Sequence, residues 1–293
     1  MPISPLPENT VRQLGSTVVI TTPVLLLKEL LDNALDARAT SVEVLVSPNT
    51  VDKIEVRDNG HGINPEDFEC LGRPGHTSKL RFFDELDSLG GRTLGFRGSA
   101  LASANTLGNV TVTTRVSAEH VASAITLAKG GGVQAQRHVG APAGTTVCVT
   151  NLFSRLPVRL QVTVKEAPKN LARMSELLQA YALARPLTRL RFVVLKTPNL
   201  SWSYAPAPNG GVKEAAMQLF GIELASQCIV ETYPNKNCQQ EVKASATKAQ
   251  QGSSLREKSP LMFDALIPKP EADLRRPARA DFCQTLPQWT ATL

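Results

Sequence analysis

The sequence predicts an α+β protein, a two-layer α/β sandwich with helices on one face of a sheet, followed by an incomplete second α/β domain. Three observations predict this class. A capped and largely apolar helical pattern occupies residues 24–37. Segments that alternate apolar and polar residues follow it, beginning with residues 41–46 and 53–58. Beyond Phe153 the composition changes, and basic residues accompany further helical patterns.

Size and composition allow a substantial core. The chain has 293 residues, of which 42% are hydrophobic, so we expect one large domain or slightly more. No apolar run approaches the roughly 20 residues of a membrane-spanning helix, and the N-terminus lacks a signal-peptide pattern, so neither a membrane partner nor secretion is expected. The five cysteines form no CxxC pair, which favours reduced thiols in the cytosol or nucleus. The net charge of +6 is compatible with a polyanionic partner without establishing one.

The first predicted helix carries a narrow polar stripe. Thr22 suits the N-cap and Pro23 the first turn, and the leucines that follow make the helix apolar around most of its circumference. Against that background Glu29, Asn33 and Asp36 fall at i, i+4 and i+7, on one side of the helix. The stripe faces either a ligand or solvent, and the helix alone does not decide between them.

Alternating patterns predict the sheet. Residues 41–46 and 53–58, joined by a Ser-Pro-Asn-Thr turn, predict an antiparallel hairpin that ends at Asp58. Residues 63–94 are glycine-rich and charged without clear elements, which is typical of a functional lid or of disorder. A short helix is predicted at residues 99–104. Further strands are predicted at residues 109–116, 123–128, 133–138 and 145–152.

The second half of the chain contains a predicted domain boundary. Residues 197–211 hold three prolines and two glycines, so we expect one domain at residues 1–200 and a partial second domain at residues 201–293. Within the second domain, residues 235–258 predict a loose polar loop. In this half of the chain, helices are also predicted at residues 171–184 and 212–220, and a strand at residues 191–195.

The polar residues form a set suited to nucleotide chemistry. Hydrolysis of a terminal phosphoanhydride needs a base to orient water, a magnesium ion and donors around the phosphates. Glu29 is the best candidate for the base, and Asn33 offers a neutral oxygen that suits Mg²⁺. Asp58, followed by Gly-x-Gly, has the chemistry to accept a hydrogen bond from an exocyclic amine. The Gly-Phe-Arg-Gly segment at residues 95–98 supplies free backbone N–H groups at the start of a helix, and the absence of GxxxxGK[ST] excludes a P-loop.

Four segments together carry a family resemblance: residues 28–37, residues 58–63, Thr77-Ser78-Lys79 and residues 95–98. They resemble the ATP-binding (Bergerat) domain of the GHKL superfamily, which is shared by gyrases, heat-shock-ninety chaperones, histidine kinases and MutL. Within it they are similar to MutL-type mismatch repair proteins, of the eukaryotic postmeiotic-segregation branch. The resemblance covers roughly residues 11–220 and implies a GHKL two-layer sandwich.

The resemblance also implies roles for individual residues, with ATP and Mg²⁺ as cofactors. Glu29 would be the general base, Asn33 the magnesium ligand and Asp58 the contact to the adenine amine. The remaining implied residues shape the adenine wall (Gly60, Gly62), lie in the lid (Thr77, Ser78, Lys79), wrap the phosphates (Gly95, Phe96, Arg97, Gly98) or support the adenine-binding aspartate (Thr146). Taken alone, Thr77-Ser78-Lys79 is more typical of an exposed loop, and Gly144-Thr145-Thr146 is a common start of a strand.

The chain also departs from the family. Ser99 stands where relatives have glutamate after Phe-Arg-Gly, and we identify no second-domain lysine that would reach the terminal phosphate. Residues 276–293 match nothing in the resemblance. The hypothesis from this observation is a truncated form of the protein or an error of gene prediction.

A basic segment suggests a nucleic-acid partner. Its positive charge would attract the phosphates of mismatched or double-stranded DNA without sequence preference, while the alternative is a solvated basic face. The residues concerned are Arg155, Arg159, Lys165, Lys169 and Arg173.

The function expected from these observations is a nuclear, weakly hydrolysing Mg-dependent ATPase. It would act in DNA mismatch repair as a nucleotide-driven conformational switch with a MutL-homologue partner. The alternative is a truncated, non-hydrolysing ATP- or DNA-binding scaffold module. A histidine kinase is disfavoured, because no helical hairpin with a phosphoacceptor histidine precedes the ATP site.

Overall fold

The structure, a computed structural model, describes residues 7–77, 79, 93–95, 98–208, 210–233, 263–270 and 272. These residues form two compact units. The first contains the chain up to Ala182 together with Thr188–Ala205, and the second contains Leu183–Leu187 and the described residues from Pro206 onward. The sheet of the first unit continues to Tyr204, and the domain boundary at residue 200 stays a prediction.

The described residues of the first unit include a mixed sheet of eight strands. The strands are β1 (Ser41–Val46), β2 (Lys53–Asp58), β3 (Asn109–Arg115), β4 (Ala122–Leu127), β5 (Val133–Val139), β6 (Gly144–Thr150), β7 (Arg189–Val194) and β8 (Trp202–Tyr204). Their order in the sheet is β5-β4-β3-β6-β2-β1-β7-β8, in which β1 and β7 run parallel and the other neighbours run antiparallel. The strands predicted from alternation are therefore confirmed to within two residues at each end.

The helices among the described residues of this unit are α1 (Glu8–Val19), α2 (Pro23–Asp36), α3 (Ala100–Leu107), α4 (Pro157–Lys165) and α5 (Ala167–Ala184), with short 3₁₀ segments at Pro65–Cys70 and Pro198–Leu200. Helix α2 was predicted, and the Thr22 hydroxyl caps its first turn by accepting a hydrogen bond from the Leu25 N–H at 3.2 Å. Helices α1 and α4 lie where no element was predicted.

The core lies on one face of the sheet. Val42, Val44 and Val46 alternate along β1 with partly exposed neighbours, and all three are buried. The leucines of α2 are buried in the same core. On the opposite face, Glu43, Arg57 and Arg191 form ion pairs across adjacent strands. This division gives the predicted α+β sandwich, with helices on one side and a charged surface on the other.

The described residues of the second unit form two helices and a sheet of two antiparallel strands. The predicted helix at residues 212–220 is confirmed as α6 (Val212–Phe220). It is followed by α7 (Ile222–Ser226), β9 (Cys228–Tyr233) and β10 (Phe263–Pro268). The polar loop predicted at residues 235–258 and the unmatched tail 276–293 lie outside the described residues.

Candidate functional site

Asp58 ends β2 with one carboxylate oxygen held by the backbone. Its Oδ1 accepts hydrogen bonds from the Gly60 N–H at 2.8 Å and the Thr145 N–H at 3.2 Å. Burial raises the pKa of Asp58 above its ordinary range, and the two N–H groups oppose that shift only in part. The other oxygen, Oδ2, accepts no hydrogen bond from the described residues. Asp58 therefore presents a fixed acceptor to a ligand.

Two glycines let the chain pass closely behind this carboxylate. A Cβ atom on Gly60 would lie 2.6 Å from the Ala37 carbonyl oxygen. Gly62 has a φ of +77°, and a Cβ there would lie 2.4 Å from the Arg115 carbonyl oxygen. The wall beside Asp58 is thus made by backbone, at the two positions where the resemblance implies it.

Thr114 and Thr145 connect the backbone that follows Gly62 to the sheet through hydrogen bonds. The Thr114 hydroxyl accepts from the Ile63 N–H at 2.9 Å and lies 3.1 Å from the Thr145 hydroxyl. Thr145 is also the cross-strand neighbour of Asp58, whereas Thr146 pairs with Arg57. Sequence reasoning missed Thr145, although the register of a strand opposite Asp58 could have indicated it. The support predicted from Thr146 stays a prediction.

Asn59 is a second residue that sequence reasoning did not assign. Its Oδ1 accepts hydrogen bonds from the Thr40 and Ser41 N–H groups at 2.9 and 2.8 Å, and its amide donates to the Thr40 hydroxyl at 2.8 Å. Asn59 therefore fixes the start of β1 against the end of β2 and holds Asp58 in place from the other side.

The polar stripe of α2 meets a lysine from a distant part of the chain. The Lys79 ammonium lies 2.9 Å from Asn33 Oδ1 and 2.5 Å from Asp36 Oδ2. Glu29, one turn before Asn33, is half-buried on the same helix. Two oxygens of α2 thus share one cation, so this corner of the molecule stabilises positive charge.

Asp36 also binds the segment that leads into the predicted phosphate loop. Its Oδ1 accepts from the Leu94 N–H at 2.8 Å, and its Oδ2 accepts from the Gly95 N–H at 3.1 Å. A Cβ atom on Gly95 would lie 3.2 Å from the Lys79 ammonium and 3.7 Å from Asn33 Oδ1. Gly95 therefore lies directly beside the candidate metal ligand.

The predicted lid and phosphate segments also meet. The Thr77 hydroxyl accepts from the Lys79 N–H at 3.2 Å. Gly98 has a φ of +59°, and a Cβ there would lie 2.6 Å from the His76 carbonyl oxygen. Three predicted site residues lie outside the described residues, namely Ser78, Phe96 and Arg97.

The C-terminal end of α2 joins the two halves of the site. Asp36 accepts hydrogen bonds from the Leu94 and Gly95 N–H groups, while the next residue, Ala37, accepts a hydrogen bond from the His61 N–H at 3.1 Å. Two consecutive residues at the end of α2 therefore contact the segment that contains Gly95 and the segment that follows Asp58.

Behind the polar stripe lies a buried network that the sequence did not indicate. Asp32 is 2% exposed, forms an ion pair with Lys28 at 2.7 Å and accepts a hydrogen bond from the Tyr181 hydroxyl of α5. Burial and the nearby carboxylates of Asp32 and Glu29 raise the pKa of Tyr181, so it stays protonated as a donor. The network fixes α2 against α5 on the turn that carries Glu29.

The residues present fit a magnesium ion. Asn33 supplies a neutral oxygen, and this oxygen already lies 2.9 Å from a positive charge, the Lys79 ammonium. Asn33 is exposed on α2, which leaves room for phosphate oxygens and waters as further ligands.

The predicted DNA-contacting residues divide into two groups. Arg159 is tied to the fold, because its guanidinium donates to the Thr17 carbonyl at 3.1 Å and lies 5.5 Å from the centroid of the Phe153 ring. The other four are exposed: Arg155, Lys165, Lys169 and Arg173. Lys169 and Arg173 lie one turn apart on the solvent face of α5.

The chain is similar to a family of ATPases and to DNA mismatch repair proteins. The family model described as histidine kinase-, DNA gyrase B-, and HSP90-like ATPase matches residues 21–137. PMS1 protein homolog 1 of Homo sapiens is 39% identical over 190 residues, which are 64% of this chain and 20% of the human protein. DNA mismatch repair protein PMS1 of Arabidopsis thaliana is 38% identical over 223 residues, which are 75% of this chain and 24% of the plant protein.

A solved structure shares the architecture. The ATPase domain of Aquifex aeolicus MutL, solved in complex with ADP, matches with a TM-score of 0.54 over 77% of this chain and 88% of that chain. Its sequence identity of 24% supports a statement about the fold alone. The predicted GHKL sandwich is thereby confirmed as the fold class.

The chain spans between a fifth and a quarter of the length of the human and plant relatives. Among the described residues, no helix has the length and apolar character needed to cross a bilayer. The chain carries a GHKL-type ATPase domain and is a homologue of the PMS1 and MutL DNA mismatch repair proteins.

Proposed function

We propose that this chain binds ATP with Mg²⁺, hydrolyses it slowly and uses the nucleotide as a conformational switch in DNA mismatch repair. One observation carries the proposal: the end of α2 brings Asn33, Lys79 and Gly95 within contact distance of one another, next to the wall that holds Asp58. A metal ligand, a lysine ammonium and a backbone anion site together match what a bound triphosphate requires. The similarity to PMS1-type proteins supports the biological role.

The adenine base is assigned to Asp58. Its Oδ1 is occupied by two backbone N–H groups, so Oδ2 is the oxygen available to accept a hydrogen bond from the exocyclic amine. The backbone wall at Gly60 and Gly62 leaves no side chain between the base and the carboxylate.

The phosphates are assigned to the segment from Gly95 to the start of α3. Backbone N–H groups at a helix N-terminus bind anions, and glycine allows the close approach. Asn33 would hold Mg²⁺, which neutralises charge on the phosphates when bound. Lys79 is positioned to exchange its contacts with Asn33 and Asp36 for contacts with a phosphate.

Glu29 is assigned as the base that orients the attacking water. It precedes Asn33 by one helical turn, so both residues face the same side of α2. The network of Lys28, Asp32 and Tyr181 holds this turn of α2 against α5. The turn therefore keeps the Glu29 carboxylate in one orientation.

In the switch, ATP would favour a closed state that pairs with a MutL-homologue partner in the nucleus. Such a shift requires ATP to bind the paired state more tightly than the open one. Mismatched or double-stranded DNA would contact the basic residues between Arg155 and Arg173. This attraction to phosphates should weaken as salt rises, and a DNA affinity that stays constant with salt would contradict it.

A scaffold that binds nucleotide without turnover is the second candidate. It is favoured by Ser99, which precedes α3 without a side-chain capping hydrogen bond, where the resemblance implies glutamate. The two candidates differ in turnover, not in binding.

The test measures binding and turnover separately. Calorimetry with Mg²⁺ and a non-hydrolysable ATP analogue should give saturable binding to the wild type, and a Glu29→Ala variant should bind equally while losing hydrolysis. Glu176→Ala, an exposed glutamate on α5, is the matched control and should keep both. No binding by the wild type would refute the proposal. Binding without turnover by the wild type would favour the scaffold, and equal turnover of Glu29→Ala and the wild type would remove Glu29 as the base.

A further inference from the structure

Asp36 receives three donors from two separate parts of the chain. Its carboxylate accepts hydrogen bonds from the Leu94 and Gly95 N–H groups, one at each oxygen, and its Oδ2 pairs with the Lys79 ammonium. We propose that Asp36 is a positioning residue of the nucleotide site, which sets the distance between the phosphate segment and the metal ligand Asn33. This inference rests on the proposed ATP-binding function and adds a residue to which the sequence assigned no role.

The geometry makes Asp36 a rigid link. Asn33 and Asp36 lie three residues apart on α2, so their separation is fixed by the helix. The Asp36 side chain is only 6% exposed, so its hydrogen bonds form out of competition with bulk water. A displacement of Gly95 relative to Asn33 therefore requires breaking bonds to a buried carboxylate, and charge-assisted bonds of this type are the stronger ones.

A carboxylate is needed because both oxygens are used. The Leu94 N–H points at Oδ1, and the Gly95 N–H points at Oδ2. Asparagine has the same size but only one acceptor, so its NH₂ group would face one of the two backbone donors. It would also leave Lys79 without its anionic partner. Asp36→Asn thus removes the link with a minimal change of volume.

In the proposed site Asp36 contacts neither the adenine base nor the metal and acts through the groups that it positions. The effect of replacing Asp36 should therefore differ between ligands with and without phosphates. Adenosine carries the groups that reach Asp58 but no phosphate. An ATP analogue with Mg²⁺ engages Gly95 and Asn33 as well. A positioning role predicts that Asp36→Asn weakens binding of the analogue and spares adenosine. A merely structural role would weaken both alike.

The experiment compares the wild type, Asp36→Asn and Asp52→Asn by calorimetry with each ligand, alongside thermal unfolding. Asp52 is an exposed aspartate in the turn before β2, so the same chemical change there is the matched control. We expect Asp36→Asn to bind the Mg-bound analogue about 10- to 100-fold more weakly, the range found for residues that orient a metal ligand. Adenosine affinity should change less than about twofold, and Asp52→Asn should match the wild type for both ligands. Failure of the wild type to bind the analogue would refute the proposed function instead of the role of Asp36.

Two results would overturn the inference. One is unchanged affinity of Asp36→Asn for the analogue, and the other is an equal loss of adenosine and analogue binding. If the variant does not fold, amide exchange of the wild type decides the matter. The Leu94 and Gly95 amides should exchange slowly without nucleotide because they donate to Asp36, and exchange at the rate of an exposed loop would refute the link.

Discussion

Replacement of Asp58 by asparagine should have opposite effects on binding and on stability. Asparagine keeps an oxygen for the Gly60 and Thr145 N–H groups and replaces the second oxygen, Oδ2, with a donor. An incoming exocyclic amine would then meet a donor where it needs an acceptor. The fold would lose a buried charge in the same step.

The loss of binding follows from one hydrogen bond. A hydrogen bond to a charged group contributes about 1.5–3 kcal/mol, and about 1.4 kcal/mol corresponds to a tenfold change in a binding constant. Asp58→Asn should therefore weaken the affinity for adenine nucleotides by about 10- to 150-fold. The affinity should fall for ATP, ADP and adenosine alike, because all three carry the amine.

The change in stability follows from the direction of the pKa shift. Burial raises the pKa of Asp58 in the folded protein above its ordinary value of 3.8, so folding favours the protonated, neutral form. The stability that this shift contributes is present below pH 3.8 and is lost as the pH rises through the folded-state pKa. At neutral pH the wild type therefore carries the cost of a buried charge, and the neutral asparagine does not. We expect Asp58→Asn to raise Tm at pH 7 and to lose that advantage as the pH approaches 4.

The assay pairs calorimetry of nucleotide binding with thermal unfolding at pH 7 and near pH 4. The reasoning would be refuted by a variant that binds adenosine as tightly as the wild type, since the adenine contact would then lie elsewhere. A lower Tm at pH 7 would refute the electrostatic part and show that the carboxylate is the stronger partner for the two backbone donors. Asp52→Asn serves again as the control for the chemical change.

Two further predictions concern the frame around the site. Gly62→Ala should destabilise the fold by about 1–3 kcal/mol in urea unfolding, because its Cβ would overlap the Arg115 carbonyl at a φ of +77°. The control Gly75→Ala has a similar φ of +73° and open space, so it should cost only the backbone strain of about 1 kcal/mol, and equal losses would contradict the steric argument. Glu55→Gln should lower Tm at pH 7. Burial alone would raise the pKa of Glu55. Hydrogen bonds and positive charges from Lys53 and Arg57 lower it by a larger amount, so the pKa of Glu55 lies below its ordinary value. The stability that this shift contributes is present above the ordinary pKa of 4.5 and is lost at lower pH, so a Tm difference that persists well below pH 4 would count against it.

Local patterns predicted the elements that position the site. The cap at Thr22 and the leucine-rich period fixed α2 to within a residue, and alternation located the strands on either side of Asp58. The stripe of Glu29, Asn33 and Asp36 was visible for the same reason, since a helix of known phase determines which residues share a side.

The two helices that were not predicted, α1 and α4, form because of tertiary packing, since their local sequences do not favour a helix. Helix α1 contains Gly15 and three consecutive β-branched residues at its end, which are poor helix formers, and Pro7 at its N-cap offers no side-chain acceptor. Helix α4 alternates apolar and polar residues from Val158 to Lys165, a pattern typical of a strand, although Pro157 suits the first turn of a helix. In both cases tertiary contacts decide the outcome.

Contacts between distant segments were equally hidden. Lys79 reaches Asp36 across 43 residues, and Asp58 receives its second donor from Thr145 across 87 residues. A spacing argument works within one helix or one strand and does not extend over such separations. The roles expected of Lys79 and Thr146 therefore came from the family resemblance alone.

The parallel pairing of β1 with β7 has a consequence for synthesis on the ribosome. Ser41 pairs with Arg189, so β1 is made 148 residues before its parallel neighbour. At about 5–20 residues per second, roughly seven to thirty seconds separate the two strands. During that interval the hairpin of β1 and β2 presents an unpaired apolar edge, the kind of surface that joins other chains. A chaperone that shields this edge, or slow translation placed after residue 194, should therefore increase the yield of soluble protein.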